Sequence, residues 1–238
     1  MAVSVDIKAL LEAGVHFGHK TSRWHPKMAK YIHSKRQDSH IIDLTKTVEG
    51  LEVALPFLTK IAASGKPILF VATKKQTKDA VRETAEALKQ PYMTERWLGG
   101  TLTNVQTVGQ QVKKLKDLEK RMATGDLEKR YSKLEVQRFQ EEIDELTLKY
   151  GGVKNLNGKP GALFLIDAIG DLNAIKEAKT IGVPVVALVD TNADPSLIDY
   201  VIPANDDAIK GVKLLLEYVS QAILEGQAGS KTSEKTEE

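Results

Sequence analysis

The chain contains no cysteine. Disulfides, thiolate metal sites and cysteine nucleophiles are therefore excluded, and a reducing cytoplasm is compatible with the composition. Long apolar runs are missing too. None approaches the ~20 residues of a membrane span, and the opening MAVSVDIKALLEAG carries acids and lacks a cleavable signal pattern. A cytoplasmic protein without a membrane partner is expected. Bulk charge is almost absent, because 34 Lys and Arg face 32 Asp and Glu for a net +2. No GxGxxG, GxSxG or HExxH pattern occurs, nor any nucleophile and base at a recognisable spacing.

What is present is 238 residues, 42% of them hydrophobic, enough to bury a full core. Short runs rich in Val, Ile, Leu and Phe recur: HIIDL from 40, PILFVAT from 67, YMTERW from 92, GALFLID from 161, VPVVALVD from 183 and DYVIPA from 199. Stretches with apolar residues at helical spacing lie between them, over 46–64, 76–89, 171–181 and 206–225. This alternation predicts an α/β fold, a doubly wound and mostly parallel sheet of Rossmann or flavodoxin kind. Residues 104–150 interrupt it. Val105, Val108, Val112 and Leu115, then Val136, Phe139, Ile143, Leu146 and Tyr150, predict an inserted antiparallel helical hairpin of coiled-coil type, with Ser132 and Glu135 spaced as a capping box. The expected division is an N-terminal helix and basic segment over 1–39, a core over 40–103 and 151–225, the insertion, and a disordered tail over 226–238.

Charge is informative in its distribution. No acid occurs between Glu12 and Asp38, while Lys20, Arg23, Lys27, Lys30, Lys35 and Arg36 supply six positive charges. All five histidines fall at or before position 40, and Phe17, Trp24 and Tyr31 are interleaved. Such a block can neutralise phosphates and stack on unpaired bases. A solvated surface segment is the competing reading. Within the block, Gly14, Lys20 and Thr21 match the first, seventh and eighth places of the phosphate loop GxxxxGK[ST], but His19 stands at the sixth. A buried strand should feed such a loop and a helix should begin at its Lys-Thr. Instead Ile7, Leu10 and Leu11 mark a short helix capped by Ser4 or Asp6 that Gly14 ends, and Trp24-His25-Pro26 breaks whatever follows.

Ligands of doubly wound sheets bind beyond the carboxyl ends of the strands. Asp167, Asp190, Asp206 and Asp207 stand there, and Asp190 and Asp206 with His16 or His19 could hold a divalent ion, zinc or magnesium. Helix-start roles for Asp171 and for Asp206 or Asp207 compete with that reading. Lys74 and Lys75, where a dinucleotide enzyme would want glycines, suit a polyanion or a solvated helix start. In RWLGGTLTN, Gly99-Gly100 permits close backbone approach, Arg96, Thr101, Thr103 and Asn104 offer donors and Trp97 a flat face. A binding loop and a joint into the insertion are both compatible with it.

VHFGHKTSRWHPKM, HIIDLTKT, ILFVATKK, RWLGGTLTN, the GALFLID strand, and VALVDTNADP followed by VIPANDDAIK, in this order and at these distances, resemble the bacterial ribosomal small-subunit protein two family. The likeness spans nearly the whole chain. It departs at His25, where the family usually has Asn, at a displaced Arg23, and at Ser34 to Gln37. The resemblance implies a non-enzymatic protein that binds small-subunit rRNA near the junction of head and body, on the solvent side. It also implies help in docking ribosomal protein one, neighbouring ribosomal proteins as partners and no homo-oligomer. Lys20, Arg23, Trp24, Lys27 and Lys30 would meet phosphate or base, Arg96 to Asn104 would form a loop against RNA, and Lys113, Lys114 and Lys116 would be the RNA-facing side of the hairpin. No cofactor is required on this reading, and a divalent ion at the Asp190 and Asp206 rim is compatible with it. A nucleotide or small-molecule enzyme on the same fold is the alternative, and a scaffold whose hairpin pairs with a partner's helices is a third.

Overall fold

The computed structural model describes residues 5–156 and 158–234. Asp6 caps α1 (Ile7–Glu12) by accepting from the Lys8 N–H, and Gly14, at φ +75°, ends it. Ser4, the other candidate cap, lies outside the described residues. The chain then forms β1 (Phe17–Lys20), two 3-10 turns, β2 (Ile32–Arg36) and β3 (Ser39–Ile42). These pair antiparallel in the order β1-β3-β2, with a two-residue turn at Gln37-Asp38 where both residues have positive φ. The HIIDL run is therefore a strand of a separate small sheet and not of the parallel one.

Next come α2 (Leu44–Ala63), β4 (Ile68–Val71), α3 (Lys78–Ala87) and β5 (Tyr92–Met93), followed by three helices, α4 (Val105–Ala123), α5 (Asp126–Arg130) and α6 (Lys133–Tyr150). α4 and α6 pack through Leu115, Leu118, Ile143 and Leu146, a small apolar cluster of its own. The Ser132 capping box opens α6. After them β6 (Ala162–Leu165), α7 (Leu172–Thr180), β7 (Val185–Val189), β8 (Tyr200–Pro203) and α8 (Ile209–Glu234) complete the fold.

Five strands form one parallel sheet in the order β5-β4-β6-β7-β8. β4, β6 and β7 are buried at every residue, which explains their unbroken apolar sequence. Ile68, Phe70, Phe164 and Val186 face a core shared with α2, α3 and α8, while Leu69, Val71, Leu163 and Val185 face another that contains α7. Helices thus flank both faces, and the fold is Rossmann-like α/β. The order of strands reverses between β4 and β6, the place where such sheets open a crevice.

The last helix corrects an expectation. The lack of large apolar residues from 226 predicts disorder, but α8 runs unbroken to Glu234. Residues 235–238 lie outside the described part. Gly226 passes so close to α2 that an added Cβ would stand 2.3 Å from the Thr59 carbonyl oxygen, and Gln227 donates to the Leu88 carbonyl at 3.2 Å. Backbone proximity and one amide contact do the work that large side chains usually do. Gly226→Ala should destabilise the fold by roughly 2 kcal/mol, because a methyl group has nowhere to go against a backbone carbonyl. An unchanged denaturation midpoint would contradict that close packing.

Candidate functional site

The basic segment is docked on the main domain along the rim where β7 and β8 end. Leu10 and Val15 are fully buried in one core and Met28 in the other, so the segment is anchored by apolar side chains at its start and near its middle. Thr191, just past β7, receives the His19 N–H on its hydroxyl at 2.9 Å and the His25 N–H on its carbonyl at 2.8 Å. Gly18 permits this approach, since a Cβ there would meet the Thr191 side chain at 2.6 Å. His25 Nδ1 accepts from the Lys27 N–H and so caps the 3-10 turn that Pro26 opens. The false phosphate loop is thus a stretch of antiparallel strand and 3-10 turn, with no helix on its Lys-Thr.

The cations of the segment divide into two groups. Lys27 is held by Asp194 at 2.8 Å and by the Ser196 hydroxyl at 2.7 Å, and Lys35 reaches Asp38 at 3.5 Å. That bond to Lys27, with the Ser196 donors, keeps the Asp194 carboxyl far below its ordinary range. Lys20, Arg23, Lys30 and Arg36 are exposed and pair with no carboxylate among the described residues. Lys30 instead stands 4.8 Å over the Tyr31 ring. Trp24 is 39% exposed with its ring 5.1 Å from that of His40. The buried nitrogens of His40 and Nδ1 of His16 find no hydrogen-bond partner among the described residues, and burial lowers the pKa of both imidazoles.

The crevice is filled by the protein's own groups. Lys74 Nζ lies 2.7 Å from Asp206 and 2.6 Å from Asp207, and His19 Nδ1 lies 3.1 Å from Asp190. Burial alone would lower the Lys74 pKa, but its two carboxylate partners raise it. Asp206 is pushed up to about 6, by burial first and then by Asp190. His19 is raised by its bond to Asp190, against the effect of burial. His19, Asp206 and Asp207 bring ligand atoms within 4.8 Å of one another. His16 is not among these three. Asp190 adjoins the cluster through His19 at 3.1 Å and the Asp206 N–H at 3.4 Å, and also accepts the Thr191 N–H at 2.5 Å. Lys74 is bonded to both outer carboxylates, so a zinc or magnesium ion at this cluster would compete with its ammonium for Asp206 and Asp207.

Asp171 occupies the N-cap position of α7, but its carboxylate turns instead to Thr73, accepting from the hydroxyl at 3.0 Å and the N–H at 3.4 Å. Lys75 is exposed, so of the Lys74-Lys75 pair only Lys75 faces outward.

In the loop after β5, Arg96 and Gly99 are exposed, while Trp97 and Thr101 are buried at 7% and 5% exposure. The Trp97 ring belongs to the second core and has no face open to a base, contrary to the flat platform expected of it. Its indole N–H, together with the N–H groups of Gly100, Leu102 and Thr103, points at Glu177 on α7. Thr103 and Asn104 are exposed, and Asn104 caps α4 by accepting from Thr107. On α4, Lys114 pairs with Glu142 of α6, whereas Lys113 and Lys116 border a groove of about 600 Å³. Leu102, Val105, Val108, Val112, Val153, Leu156 and Ile181 line it, Lys159 adds to its basic border, Lys154 beside it is paired with Glu119, and no acid lines it among the described residues.

Thr191, Asp194 and Glu177, which hold the basic segment and the loop in place, escaped the sequence reading. Asp194 and Ser196 carry a local signal, an Asx turn beside Pro195. Nothing local marks Glu177.

Together these features define a Rossmann-like α/β protein in which Lys74 is bonded to Asp206 and Asp207 at the strand ends and a basic N-terminal segment is docked along that rim. Residues 10–226 match the model of the family described as Ribosomal protein S2. The chain is 48% identical over 223 residues to the small ribosomal subunit protein uS2 of Roseiflexus sp. (strain RS-1), covering 94% of this chain and 85% of that protein. It is likewise 48% identical over 231 residues to the uS2 of Chloroflexus aggregans (strain MD-66 / DSM 9485), covering 97% of each. The chain belongs to the ribosomal protein S2 family, and its role is that of a ribosomal structural protein. No helix among the described residues is long and apolar enough to cross a membrane.

Proposed function

We propose that the protein is a structural constituent of the small ribosomal subunit that binds rRNA through its N-terminal arm. The observation that carries this reading is the set of four exposed cations, Lys20, Arg23, Lys30 and Arg36, without carboxylate partners among the described residues and beside a half-open Trp24. Folding leaves these charges uncompensated, and a phosphate backbone would compensate them. Lys75, Arg96, Gly99 and Asn104 supply a second set of contacts, while the donors of Gly100 and Thr103 are turned to Glu177. Lys27 and Lys74, tied to their own carboxylates, contribute through position and not as free charges.

On this reading α4 and α6, packed through Leu115, Leu118, Ile143 and Leu146, are the two arms of the inserted hairpin. The groove beside α4 has no aromatic side chain on which a base could stack, and a wall of aliphatic residues with a basic border suits a net-acidic protein segment. It supports the docking of ribosomal protein one more than an RNA contact by Lys113 and Lys116. No step depends on a divalent ion: His19, Asp206 and Asp207 could take one only with Lys74 withdrawn.

The test is reconstitution. Small subunits assembled without the protein should gain local protections in rRNA footprinting when it is added back. A footprint identical with and without the bound protein would reject the reading. The enzyme alternative predicts saturable binding of a labelled mononucleotide, and the Lys74 bridge across the crevice speaks against it.

A further inference from the structure

Glu177 receives five hydrogen bonds from one loop. One carboxylate oxygen accepts from the Trp97 indole at 3.0 Å and the Gly100 N–H at 2.8 Å. The other accepts from the N–H groups of Leu102 at 3.0 Å and Thr103 at 3.3 Å and from the Thr103 hydroxyl at 3.2 Å. Backbone N–H groups of one loop converging on one anion resemble the nests by which loops bind phosphate, although the Thr101 N–H turns away to the Leu98 carbonyl. Here the anion is built in. Burial works to raise the Glu177 pKa, but the indole and backbone donors outweigh it and hold the carboxyl below its ordinary range.

The consequence reaches beyond the loop. Gly100, bent at φ +88°, accepts the Asn104 N–H on its carbonyl at 2.7 Å, and Asn104 opens α4. A single carboxylate on α7 thereby sets both the outward donors of the loop and the start of the helix that borders the groove. We propose that Glu177 is a positioning residue for nucleic-acid contact: it consumes the inward N–H groups of the loop so that Arg96, Gly99 and Asn104 are presented outward in one conformation. The inference rests on the reading of this loop as RNA-facing. A neutral amide cannot replace the carboxylate, since its NH2 would face donors on one side.

The experiment uses the full chain in three forms, wild type, Glu177→Gln and Glu177→Asp, with Arg96→Gln marking the share of the rRNA protections due to the loop. In Glu177→Gln the amides of Gly100, Leu102 and Thr103 should exchange with solvent at least about tenfold faster. The protections that Arg96→Gln removes should vanish while those of the arm persist, and Glu177→Asp should restore part of both. Wild-type exchange in Glu177→Gln, or fast exchange with an intact footprint, would overturn the proposal. Should Glu177→Gln not fold, Trp97→Phe removes one donor and keeps the carboxylate; an unaltered footprint with those amides loosened would overturn it equally. If wild type itself gives no footprint, the RNA reading fails, and the exchange data still report on Glu177.

Discussion

Replacing Lys20, Arg23, Lys30 and Arg36 together by glutamine should weaken rRNA binding by about three orders of magnitude at 0.1 M salt. Each neutralised phosphate contributes roughly 0.7–0.9 decades of affinity per decade of salt, so four contacts give about three decades between 1 M and 0.1 M. The substitution leaves the fold untouched in this account, because none of the four side chains pairs with a carboxylate among the described residues and all are exposed. Anchoring falls to Leu10, Val15 and Met28 and to the Thr191 contacts. The denaturation midpoint should therefore stay within about 1 °C per residue changed, as for ordinary surface substitutions. Affinity within threefold of wild type in filter binding would show that the arm is a solvated surface and no more.

The stability of Asp171→Asn should depart from wild type in a pH-dependent way. Asp171 is fully buried between β4 and α7, and burial, helped by Asp167, raises its pKa from 3.8 to about 6 against the bonds from Thr73. The sign follows from proton binding. Between the ordinary and the raised pKa the folded state holds a proton the unfolded state has lost, so stability falls as pH rises through that window. Above about pH 6 the buried charge costs on the order of 3 kcal/mol. Asparagine can keep both Thr73 contacts, its oxygen accepting the N–H and its NH2 donating to the hydroxyl. Asp171→Asn should thus be the more stable protein at pH 7.5 by about 2–3 kcal/mol, with the gap closing below about pH 4. Parallel stability curves in urea unfolding across this range would remove the buried-charge account of Asp171.

Which features were legible in the sequence follows from how local their causes are. β4, β6 and β7 were visible because strands buried on both faces must be apolar throughout, and ILFV, ALFL and VVALV are. Gly14 gave itself away as a helix end because only its neighbours are needed to explain it. HIIDL was visible as a strand but not in its sheet: its partners are set by a turn at Gln37-Asp38, whose left-handed conformation carries no glycine to announce it. Trp97 looked like a platform because its true partner stands eighty residues away on another helix. The same distance hid the engagement of Lys74 with Asp206, 132 residues on. In the block of six cations, sequence alone could not separate Lys27, closed by Asp194, from Lys20, which is open. The arm was legible as a charge pattern, and the division of its charges was not.

The most direct measurement of the central claim is the salt dependence of wild-type binding to small-subunit rRNA fragments. With at least four phosphates neutralised by the arm, the logarithm of the association constant should fall against the logarithm of salt concentration with a slope of about −3 or steeper. A slope shallower than about −1 would mean that at most one phosphate is engaged, and the arm would not be the surface that holds RNA.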